Sequence, residues 1–322
     1  MRKKIVEEGV EIIPLNWFFL KNIQFQFFFS FYLKEIKLEK PDFVIFLEES
    51  YSTSTFEFSL FFKKVPFVFF SAQNIYKNFP IPIRKMQNYV FKRSKGALAV
   101  SKEAEVVLRK WGYNKKIFRF YLGVDPFKFN ESKKIEILET LEKPIFAYIG
   151  RLTKIKGVYL LIDAFEKFYK KYKKGTLLLV GEGKERVNIK NLLISKKVNF
   201  YMLPYISHEE VYSVYKLIDF LILPSLTGKG WKEQFGRVLV EGMAGGVPVI
   251  GSDSGAIPEV IGDAGLLFKE GNSEELFRCM ERLYLDKTLR DELIRKGFKR
   301  VKENFTYEVI AEKLYNFLKS LI

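Results

Sequence analysis

Two glutamates, Glu233 and Glu241, stand eight residues apart in the second half of the sequence. Carboxylates accept hydrogen bonds from hydroxyl groups, so a pair at this spacing can hold two hydroxyl-bearing parts of one ligand. Eight residues of helix rise about 12 Å, close to the separation of the sugar and the ribose in a nucleotide sugar. The amides of Gln234, Phe235 and Gly236 are expected at the helix start, where free N–H groups bind an anionic diphosphate. The spacing alone is also common among solvent-facing glutamates on amphipathic helices, so it indicates a ligand site only together with other motifs.

A basic loop, from Gly150-Arg151 to Lys156-Gly157, follows an apolar run earlier in the chain. In parallel α/β sheets, ligands bind beyond the carboxyl ends of the strands, which is where this loop falls. The fork of Arg151 can bind two phosphate oxygens, and Lys156 adds a point charge. Two cations can neutralise a diphosphate without a metal, which agrees with the lack of any Asp-x-Asp pair in the sequence. Surface ion pairing is the alternative role for both side chains.

Composition restricts the classes of protein. A chain of 322 residues with 48% hydrophobic residues is long enough to fill two cores. A single cysteine, Cys279, excludes an intramolecular disulfide and suits a reducing cytosol. A single histidine, His208, argues against a His-rich metal centre and a Ser-His-Asp triad. We therefore expect no bound metal or cofactor.

The formal charge of +16 is concentrated in the first part of the chain. Residues 1–130 carry 22 Lys/Arg against 12 Asp/Glu, and the excess is densest from Arg84 to Arg119. Such a surface can meet anionic lipid, nucleic acid or an acidic acceptor. The alternative is a lysine-rich composition spread over solvated faces.

Short apolar runs alternate with longer helical patterns, which predicts parallel α/β units. In the first lobe, residues 1–130, strands are expected at three places: Phe43–Leu47, Phe67–Phe70 and Ala97–Val100. In the second lobe, residues 131–306, five strands are expected: Ile145–Ile149, Leu177–Val180, Asn199–Leu203, Phe220–Leu223 and Val247–Ile250. Ser207 and Glu210 predict a capping box that opens one helix. A final helix, residues 307–322, is expected to cross back onto the first lobe.

The apolar run Trp17–Leu33 is interrupted by Lys21, Asn22, Gln24 and Gln26. It is too short and too polar for a transmembrane helix, and no small-residue cleavage site follows it. We expect an amphipathic helix that is buried or lies on a membrane. The start of the chain offers only Gly9, so the strand and Gly-rich turn that normally open a doubly wound lobe are missing or built differently.

From about Pro41 to its end, the sequence resembles glycosyltransferase family four, the large retaining family with the GT-B fold. The resemblance rests on five segments in the expected order: Gly150-Arg151…Lys156-Gly157, Val180-Gly181-Glu182-Gly183, Leu223-Pro224-Ser225, Glu233…Glu241 and Ser254-Gly-Ala-Ile-Pro-Glu259. The fold it implies is two Rossmann-like lobes facing a cleft, with the nucleotide sugar bound mainly to the second.

The resemblance also implies roles for individual residues. Arg151 and Lys156, beside Gly150, would hold the donor diphosphate, and Glu233 would contact hydroxyls of the donor sugar. Glu241 would hold the ribose hydroxyls. The remaining donor-binding candidates are Gly181, Glu182, Gly183, Pro204, Tyr205, Gln234, Phe235 and Gly236. The implied reaction moves a hexose-like unit to an acceptor hydroxyl with retained configuration and without a metal.

The first lobe departs from the family pattern. Many members carry a histidine there that faces the donor sugar, whereas the matching region here reads Leu47-Glu-Glu-Ser-Tyr-Ser52. Glu49 and Tyr51 are therefore the candidates for the interlobe cleft, and Glu49 is added to the catalytic set. Their alternative role is that of surface loop residues after a strand.

The sequence leaves the acceptor open. The basic first lobe favours a cytoplasmic protein at the inner membrane surface, in peripheral contact with anionic lipid and acting on a lipid-linked or glycan acceptor. Three alternatives stand beside this interpretation: a relative that binds nucleotide sugar without transfer, a nucleotide-sugar epimerase, and a basic nucleic-acid-binding protein. Against the last stands the lack of any nucleic-acid motif.

Overall fold

The computed structural model describes residues 41–131 and 136–322, together with four short segments nearer the start, 5–7, 10–12, 17–18 and 27–28. The chain divides into two compact units. Unit 1 comprises Met1–Val100, Ala104–Arg119 and Asn316–Ile322, and unit 2 comprises Ser101–Glu103 and Phe120–Tyr315. None of the described helices is long and apolar enough to cross a membrane.

The described start of the chain forms two short antiparallel ladders. Strand β1 (Ile5–Glu7) pairs with β2 (Val10–Ile12), and β3 (Trp17–Phe18) pairs with β4 (Phe27–Phe28). The helix expected over Trp17–Leu33 is therefore wrong at these four paired positions, because residues 17–18 and 27–28 are extended. The rest of that prediction lies outside the described residues.

Unit 1 contains a four-stranded parallel sheet in the order β5-β6-β7-β8. Its strands are β5 (Val44–Phe46), β6 (Phe67–Ser71), β7 (Gly96–Ala99) and β8 (Lys116–Arg119). Its helices are α1 (Thr53–Phe61), α2 (Ile81–Arg93) and α3 (Lys102–Lys110). The three strands expected in this lobe are confirmed. Strand β8 was not predicted.

Two short helices link this region to the next sheet, α4 (Lys128–Glu131) and α5 (Glu136–Glu139). Unit 2 then forms a six-stranded parallel sheet in the order β11-β10-β9-β12-β13-β14. Its strands are β9 (Ile145–Ile149), β10 (Thr176–Val180), β11 (Phe200–Leu203), β12 (Phe220–Leu223), β13 (Val249–Ser252) and β14 (Gly265–Phe268).

Helices alternate with these strands as far as β14, and three more follow it; the last of them begins in unit 2 and ends in unit 1. The helices are α6 (Val158–Tyr172), α7 (Arg186–Lys196), α8 (His208–Leu217), α9 (Arg237–Ala244), α10 (Ile257–Ile261), α11 (Ser273–Leu285), α12 (Lys287–Asn304) and α13 (Tyr307–Lys319). A 3₁₀ turn, Lys154–Lys156, precedes α6. The predicted capping box forms, because Ser207 Oγ accepts from Glu210 N and the Glu210 carboxylate accepts from Ser207 N.

The core of unit 2 explains why its central strands read as continuous apolar runs. Every residue of β9, β10 and β12 is buried, as expected for parallel strands that are covered on both faces. Phe146 on β9 meets Phe168 of α6 and Phe220 of β12, with ring centroids 4.7 and 4.9 Å away. The sheet is thus fixed rigidly beneath the loops that leave its carboxyl ends.

Candidate active site

The strand order of unit 2 creates a switch point between β9 and β12. The chain moves outward from β9 through β10 to β11, then returns to pair β12 with the other side of β9. In doubly wound sheets the loops on either side of such a point diverge and leave a crevice for a ligand. The loops that follow β9 and β12 contain the predicted Arg151, Lys156 and Glu233.

A cavity of about 300 Å³ lies beyond the carboxyl ends of β9, β10 and β11. Six predicted donor-binding residues line it: Gly150, Arg151, Gly181, Glu182, Tyr205 and Glu241. Five further residues complete the lining: Ile149, Val180, Ile206, Ser207 and Val211. The structure therefore brings together residues from three strand ends and two helices, over a span of 93 residues from Ile149 to Glu241.

The turn after β10 packs directly against the backbone of the turn after β9. A Cβ atom added to Gly181 would lie 2.1 Å from the carbonyl oxygen of Gly150. The φ of Gly181 is +135°, in the region that favours glycine. Only glycine permits this contact, which forms one wall of the cavity.

Glu241 projects from α9 and is 4% exposed, and it is one of the residues that line the cavity. Oε2 accepts a hydrogen bond of 2.8 Å from the Tyr215 hydroxyl, and Oε1 lies 3.0 Å from Arg237 Nε. Burial raises the pKa of Glu241, and these two partners oppose the rise. The Tyr215 hydroxyl and the Arg237 guanidinium thus fix the orientation of the carboxylate.

Lys156 and Glu233 form a largely buried ion pair. Lys156 Nζ lies 2.7 Å from Glu233 Oε2, and the two side chains are 13% and 10% exposed. Ser225 Oγ donates a second hydrogen bond of 2.7 Å to the same oxygen. The pair joins the loop after β9 to the loop after β12, at positions 77 residues apart in the chain. Neither residue lines the cavity that holds Arg151 and Glu241.

Arg151, in the loop after β9, is exposed and forms no ion pair with any described residue. Its backbone is held from below, because the Tyr148 hydroxyl donates to the Arg151 carbonyl oxygen at 2.8 Å. Burial, and next the charge of Glu233, raise the pKa of Tyr148, so this hydroxyl stays a donor at ordinary pH. Arg151 therefore has a fixed backbone and a guanidinium that is available to an anion.

The segment between the two glutamates differs from the expectation. Helix α9 begins at Arg237, after Gly236 with φ +85°, so Gln234, Phe235 and Gly236 precede the helix and are not its first turn. Phe235 is buried and packs against Tyr121 and Phe305. The amides predicted for diphosphate binding thus lie in a turn, and the reason is the left-handed backbone at Gly236, which helical residues cannot adopt.

Glu49 and Tyr51 are buried in unit 1, so the alternative of surface loop residues is wrong. Glu49 Oε1 accepts from the amides of Ala72 and Gln73 at 2.8 and 3.0 Å, and Oε2 accepts from Ser71 Oγ at 2.8 Å. Burial raises the pKa of Glu49 to about 7, although these hydrogen bonds lower it. Glu49 thus ties the end of β5 to the end of β6.

Some contributors to the site were not predicted. Tyr215 orients Glu241, Ser207 lines the cavity, and Trp231 lies against Lys156 with Nζ 4.6 Å from the ring centroid. The Ser207 capping box was recognised from the sequence, and it fixes the loop that carries Tyr205 and Ile206. No sequence signal linked Tyr215 or Trp231 to the site. Three predicted residues, Gly183, Pro204 and Lys156, lie on the same loops but outside the cavity lining.

A known protein family matches residues 129–300, the family described as glycosyl transferases group 1. This match covers more than half of the chain. The chain belongs to the glycosyl transferases group 1 family. The matched region includes every predicted site residue except Glu49 and Tyr51.

The names of two relatives state different activities. The chain is 30% identical over 184 residues to the capsular polysaccharide biosynthesis glycosyltransferase CapM of Staphylococcus aureus, covering 54% of this chain and 47% of the relative. It is 34% identical over 175 residues to the N-acetyl-alpha-D-glucosaminyl L-malate synthase of Bacillus anthracis, covering 52% and 43%. The chain spans about half the length of the curated relatives it matches.

Solved glycosyltransferases share the fold. A glycosyltransferase from Rickettsia africae ESF-5 has a TM-score of 0.75 and 22% identity, covering 91% of this chain and 80% of that one. Alr3699/HepE of Anabaena, in complex with UDP, has a TM-score of 0.74 and 18% identity, covering 89% and 82%. At this identity the likeness concerns fold, and it confirms the predicted GT-B class.

Proposed function

We propose that this chain is a retaining glycosyltransferase that moves a sugar from a nucleotide-diphosphate sugar to an acceptor hydroxyl. One observation carries the proposal: Arg151 and the buried Glu241 line a single cavity at the carboxyl edge of the unit 2 sheet. A cation for phosphate and a fixed carboxylate for ribose hydroxyls are the two groups that a nucleoside diphosphate requires. The solved HepE complexes with UDP and UDP-glucose support a uridine donor as the first to test.

The proposed reaction makes and breaks one bond at the anomeric carbon. The acceptor oxygen bonds to that carbon on the face from which the diphosphate leaves, and the carbon–phosphate oxygen bond breaks. The acceptor proton passes to the departing phosphate oxygen. Arg151 and Lys156 stabilise the charge that develops there, which is the role that electrostatic preorganisation has in many enzymes. Two cations supply this stabilisation, so the proposed reaction needs no metal.

Glu233 is proposed to accept hydrogen bonds from hydroxyls of the transferred sugar. Its Oε2 is occupied by Lys156 and Ser225. An entering diphosphate would attract Lys156, after which Glu233 can turn more of its acceptor capacity to the sugar. Gln234, Phe235 and Gly236 remain proposed contacts to the donor, through the turn that precedes α9. Gly183 and Pro204 remain proposed donor contacts, and Glu49 a proposed catalytic residue.

Calorimetric titration with UDP, GDP, ADP and their sugar conjugates, in the presence of a chelator, tests the donor site. We expect saturable binding of one nucleotide that Arg151→Ala and Lys156→Ala each weaken by roughly 10- to 100-fold, since each removes a charge-assisted hydrogen bond. Lys190→Ala, on an exposed face of α7, is the matched control and should bind like the wild type. No binding of any nucleotide would contradict the proposal.

Product analysis separates transfer from its alternatives. Incubation with the bound donor and a panel of glycan and lipid-linked acceptors should release nucleoside diphosphate and give a glycoside with the donor's anomeric configuration, seen in the proton coupling at the anomeric position. An inverted product would contradict the retaining assignment. A changed sugar without any acceptor would indicate an epimerase, and binding without turnover would indicate a relative that only binds the donor.

We further propose that unit 1 contacts an anionic membrane through one edge of its sheet. Seven basic residues lie just before or at the start of β6, β7 and β8, and we call them the amino-edge cluster: Lys63, Lys64, Lys92, Arg93, Lys95, Lys115 and Lys116. None of the seven forms an ion pair within the described ranges. Burial lowers the pKa of Lys115, and the charges of Lys95 and Arg93 lower it further.

The amino-edge cluster suits a diffuse anionic surface. Six of its seven members are lysines, which act as point charges, whereas selective phosphate recognition favours the arginine fork. A juxtaposed set of basic residues gains about 1 kcal/mol per residue at an anionic bilayer. The proposal therefore places a lipid-linked acceptor within reach of a peripheral, cytoplasmic enzyme.

Vesicle flotation tests the membrane contact. The wild type should float with vesicles that contain anionic lipid and stay behind with neutral vesicles, and added salt should release it. The triple variant K63E/K64E/K95E should lose flotation. K190E/K216E/K302E reverses the same number of exposed lysines in unit 2 and should keep it. Equal loss in both triple variants, or equal flotation with neutral vesicles, would contradict the proposed surface.

A further inference from the structure

A tight turn lies between β12 and Glu233, and we call residues 228–231 the Trp231 turn. Gly228 N donates to Trp231 O at 2.8 Å, and Trp231 N donates back to Gly228 O at 3.3 Å. Lys229 and Gly230 form its exposed tip, with Gly230 at φ +86°. This reciprocal pair of hydrogen bonds fixes the backbone that carries the Trp231 side chain.

The Trp231 turn is attached to the 3₁₀ turn that carries Lys156. Leu226 N donates to Ile155 O at 2.8 Å. A Cβ atom added to Gly228 would lie 2.4 Å from Ile155 Cδ1, so the isoleucine side chain packs directly on the glycine backbone. The two loops therefore hold each other through one hydrogen bond and one apolar contact, independently of any charge.

The Lys156 ammonium lies between an anion and an aromatic face. Its Nζ is 2.7 Å from Glu233 Oε2 and 4.6 Å from the centroid of the Trp231 ring. A cation is attracted to the negative face of an indole, and the attraction grows when the cation is desolvated. Lys156 is only 13% exposed, so its ammonium is largely desolvated.

The two partners of Lys156 differ in what a diphosphate would do to them. Glu233 is an anion and competes with the diphosphate for the ammonium. Trp231 is neutral, so its contact with the Lys156 cation can persist when Lys156 changes its anionic partner. Ser225 still donates to Glu233 Oε2 after such an exchange, which limits the cost of releasing Lys156.

We propose that Trp231 is a positioning residue that holds the Lys156 ammonium ready to pass from Glu233 to the donor diphosphate. The inference rests on the proposed donor site and deepens it by naming what aims its buried cation. Without the indole face, the flexible side chain of Lys156 is held only by Glu233, the partner that it must leave when the diphosphate binds. Donor binding then has to order Lys156 as well as bind it.

A double-mutant cycle, read by calorimetric titration with UDP or the nucleotide that the wild type binds, tests this role. Trp231→Leu should weaken binding by about 10-fold in the wild-type background. In the K156A background the same substitution should change affinity by less than about 2-fold, since the residue that Trp231 positions is gone. Trp231→Phe keeps an aromatic face and should weaken binding by about 3-fold.

The outcomes separate the role of Trp231 from the existence of the donor site. An equal effect of Trp231→Leu in both backgrounds, or no effect in either, would overturn the positioning role while leaving the donor site intact. Full binding by Trp231→Phe together with a large loss in Trp231→Leu would support the role, since the aromatic face alone is retained. No nucleotide binding by the wild type would overturn the proposed function, and this inference with it.

Discussion

Gly157 and Pro224 are in backbone contact: a Cβ atom added to Gly157 would lie 1.8 Å from the Pro224 carbonyl oxygen. Gly157 ends the loop after β9 and has φ +70°, while Pro224 is the first residue after β12. The backbones of the two loops therefore pack against each other with no room for a side chain between them. This contact lets Lys156, one residue before Gly157, reach Glu233 on the other loop.

Gly157→Ala should destabilise unit 2 by roughly 2–4 kcal/mol, because the added methyl group meets a carbonyl oxygen and the residue must keep a left-handed backbone. Urea denaturation followed by circular dichroism measures the loss. Gly271→Ala is the matched control, since its φ is +79° and no described atom lies within 4 Å of the added Cβ. Gly271→Ala should lower the free energy of unfolding by only about 1 kcal/mol. Equal losses in the two variants would show that the contact with Pro224 is unimportant.

Glu241→Ala should weaken binding of the nucleoside diphosphate by about 10- to 100-fold, because it removes hydrogen bonds from the ribose hydroxyls to a charged acceptor. Calorimetric titration measures the change. The substitution also takes a partner from Tyr215 and Arg237, so circular dichroism must show that the fold persists. Unchanged affinity would remove Glu241 from the donor site.

Glu233→Gln should lower kcat by at least about 100-fold, since the charged acceptor for the transferred sugar is lost. Affinity for the nucleoside diphosphate should stay within about 3-fold of the wild type or improve, because Lys156 no longer has to leave a carboxylate. Steady-state kinetics and titration are compared on the same preparation. A loss of nucleotide affinity as large as the loss of kcat would contradict the assignment to the sugar.

Tyr215→Phe should weaken nucleotide binding less than Glu241→Ala does, by about 3- to 10-fold. The substitution removes the hydroxyl that orients Glu241 Oε2 but keeps the buried ring and the Arg237 contact. Titration of both variants with the same nucleotide measures the difference. An effect as large as that of Glu241→Ala would mean that Tyr215 contacts the nucleotide itself.

The free energy of unfolding of the Glu49→Gln variant should increase relative to that of the wild type as the pH rises. Burial raises the pKa of Glu49 to about 7, against 4.5 for the exposed group. The folded state thus holds the proton more tightly, and the stability that this gives is complete below pH 4.5 and lost as the pH rises through about 7. The amide can keep the contacts to Ala72, Gln73 and Ser71, and the difference between the two proteins should grow by about 3 kcal/mol from pH 4 to pH 8.

Urea denaturation at a series of pH values measures this change. Glu48→Gln, at the exposed neighbouring position, is the control and should show a smaller change with pH. Parallel stability curves for wild type and Glu49→Gln would mean that the folded protein holds Glu49 with an ordinary pKa. Lost transferase activity in a stable Glu49→Gln protein would support its place in the catalytic set.

The sequence by itself determined most of the elements. The eight predicted strands form because continuous apolar runs such as Ile145–Ile149 can be satisfied only between covered sheet faces. In the two parallel sheets, strands β8 and β14 were missed, and both lie at the edge of a sheet. Lys116–Arg119 is polar at both ends, so its extended form depends on pairing with β7, a partner that the local pattern does not contain.

The sequence also supplied the candidates for the chemistry of the site. Arg151, Lys156, Glu233 and Glu241 were identified from residue type, spacing and position at strand ends. These signals are local, since a strand followed by a Gly-rich or basic turn places its next residues at the carboxyl edge of a parallel sheet.

Only the tertiary structure decided how these residues are paired. Lys156 meets Glu233 across 77 residues of chain, and Tyr215 meets Glu241 across 26. It also decided that Gly236 ends the turn before α9, and that Glu49 is buried against three donors. Hydrogen bonds and ion pairs act over about 3 Å, so which distant groups meet depends on the packing of whole elements and not on spacing along the chain.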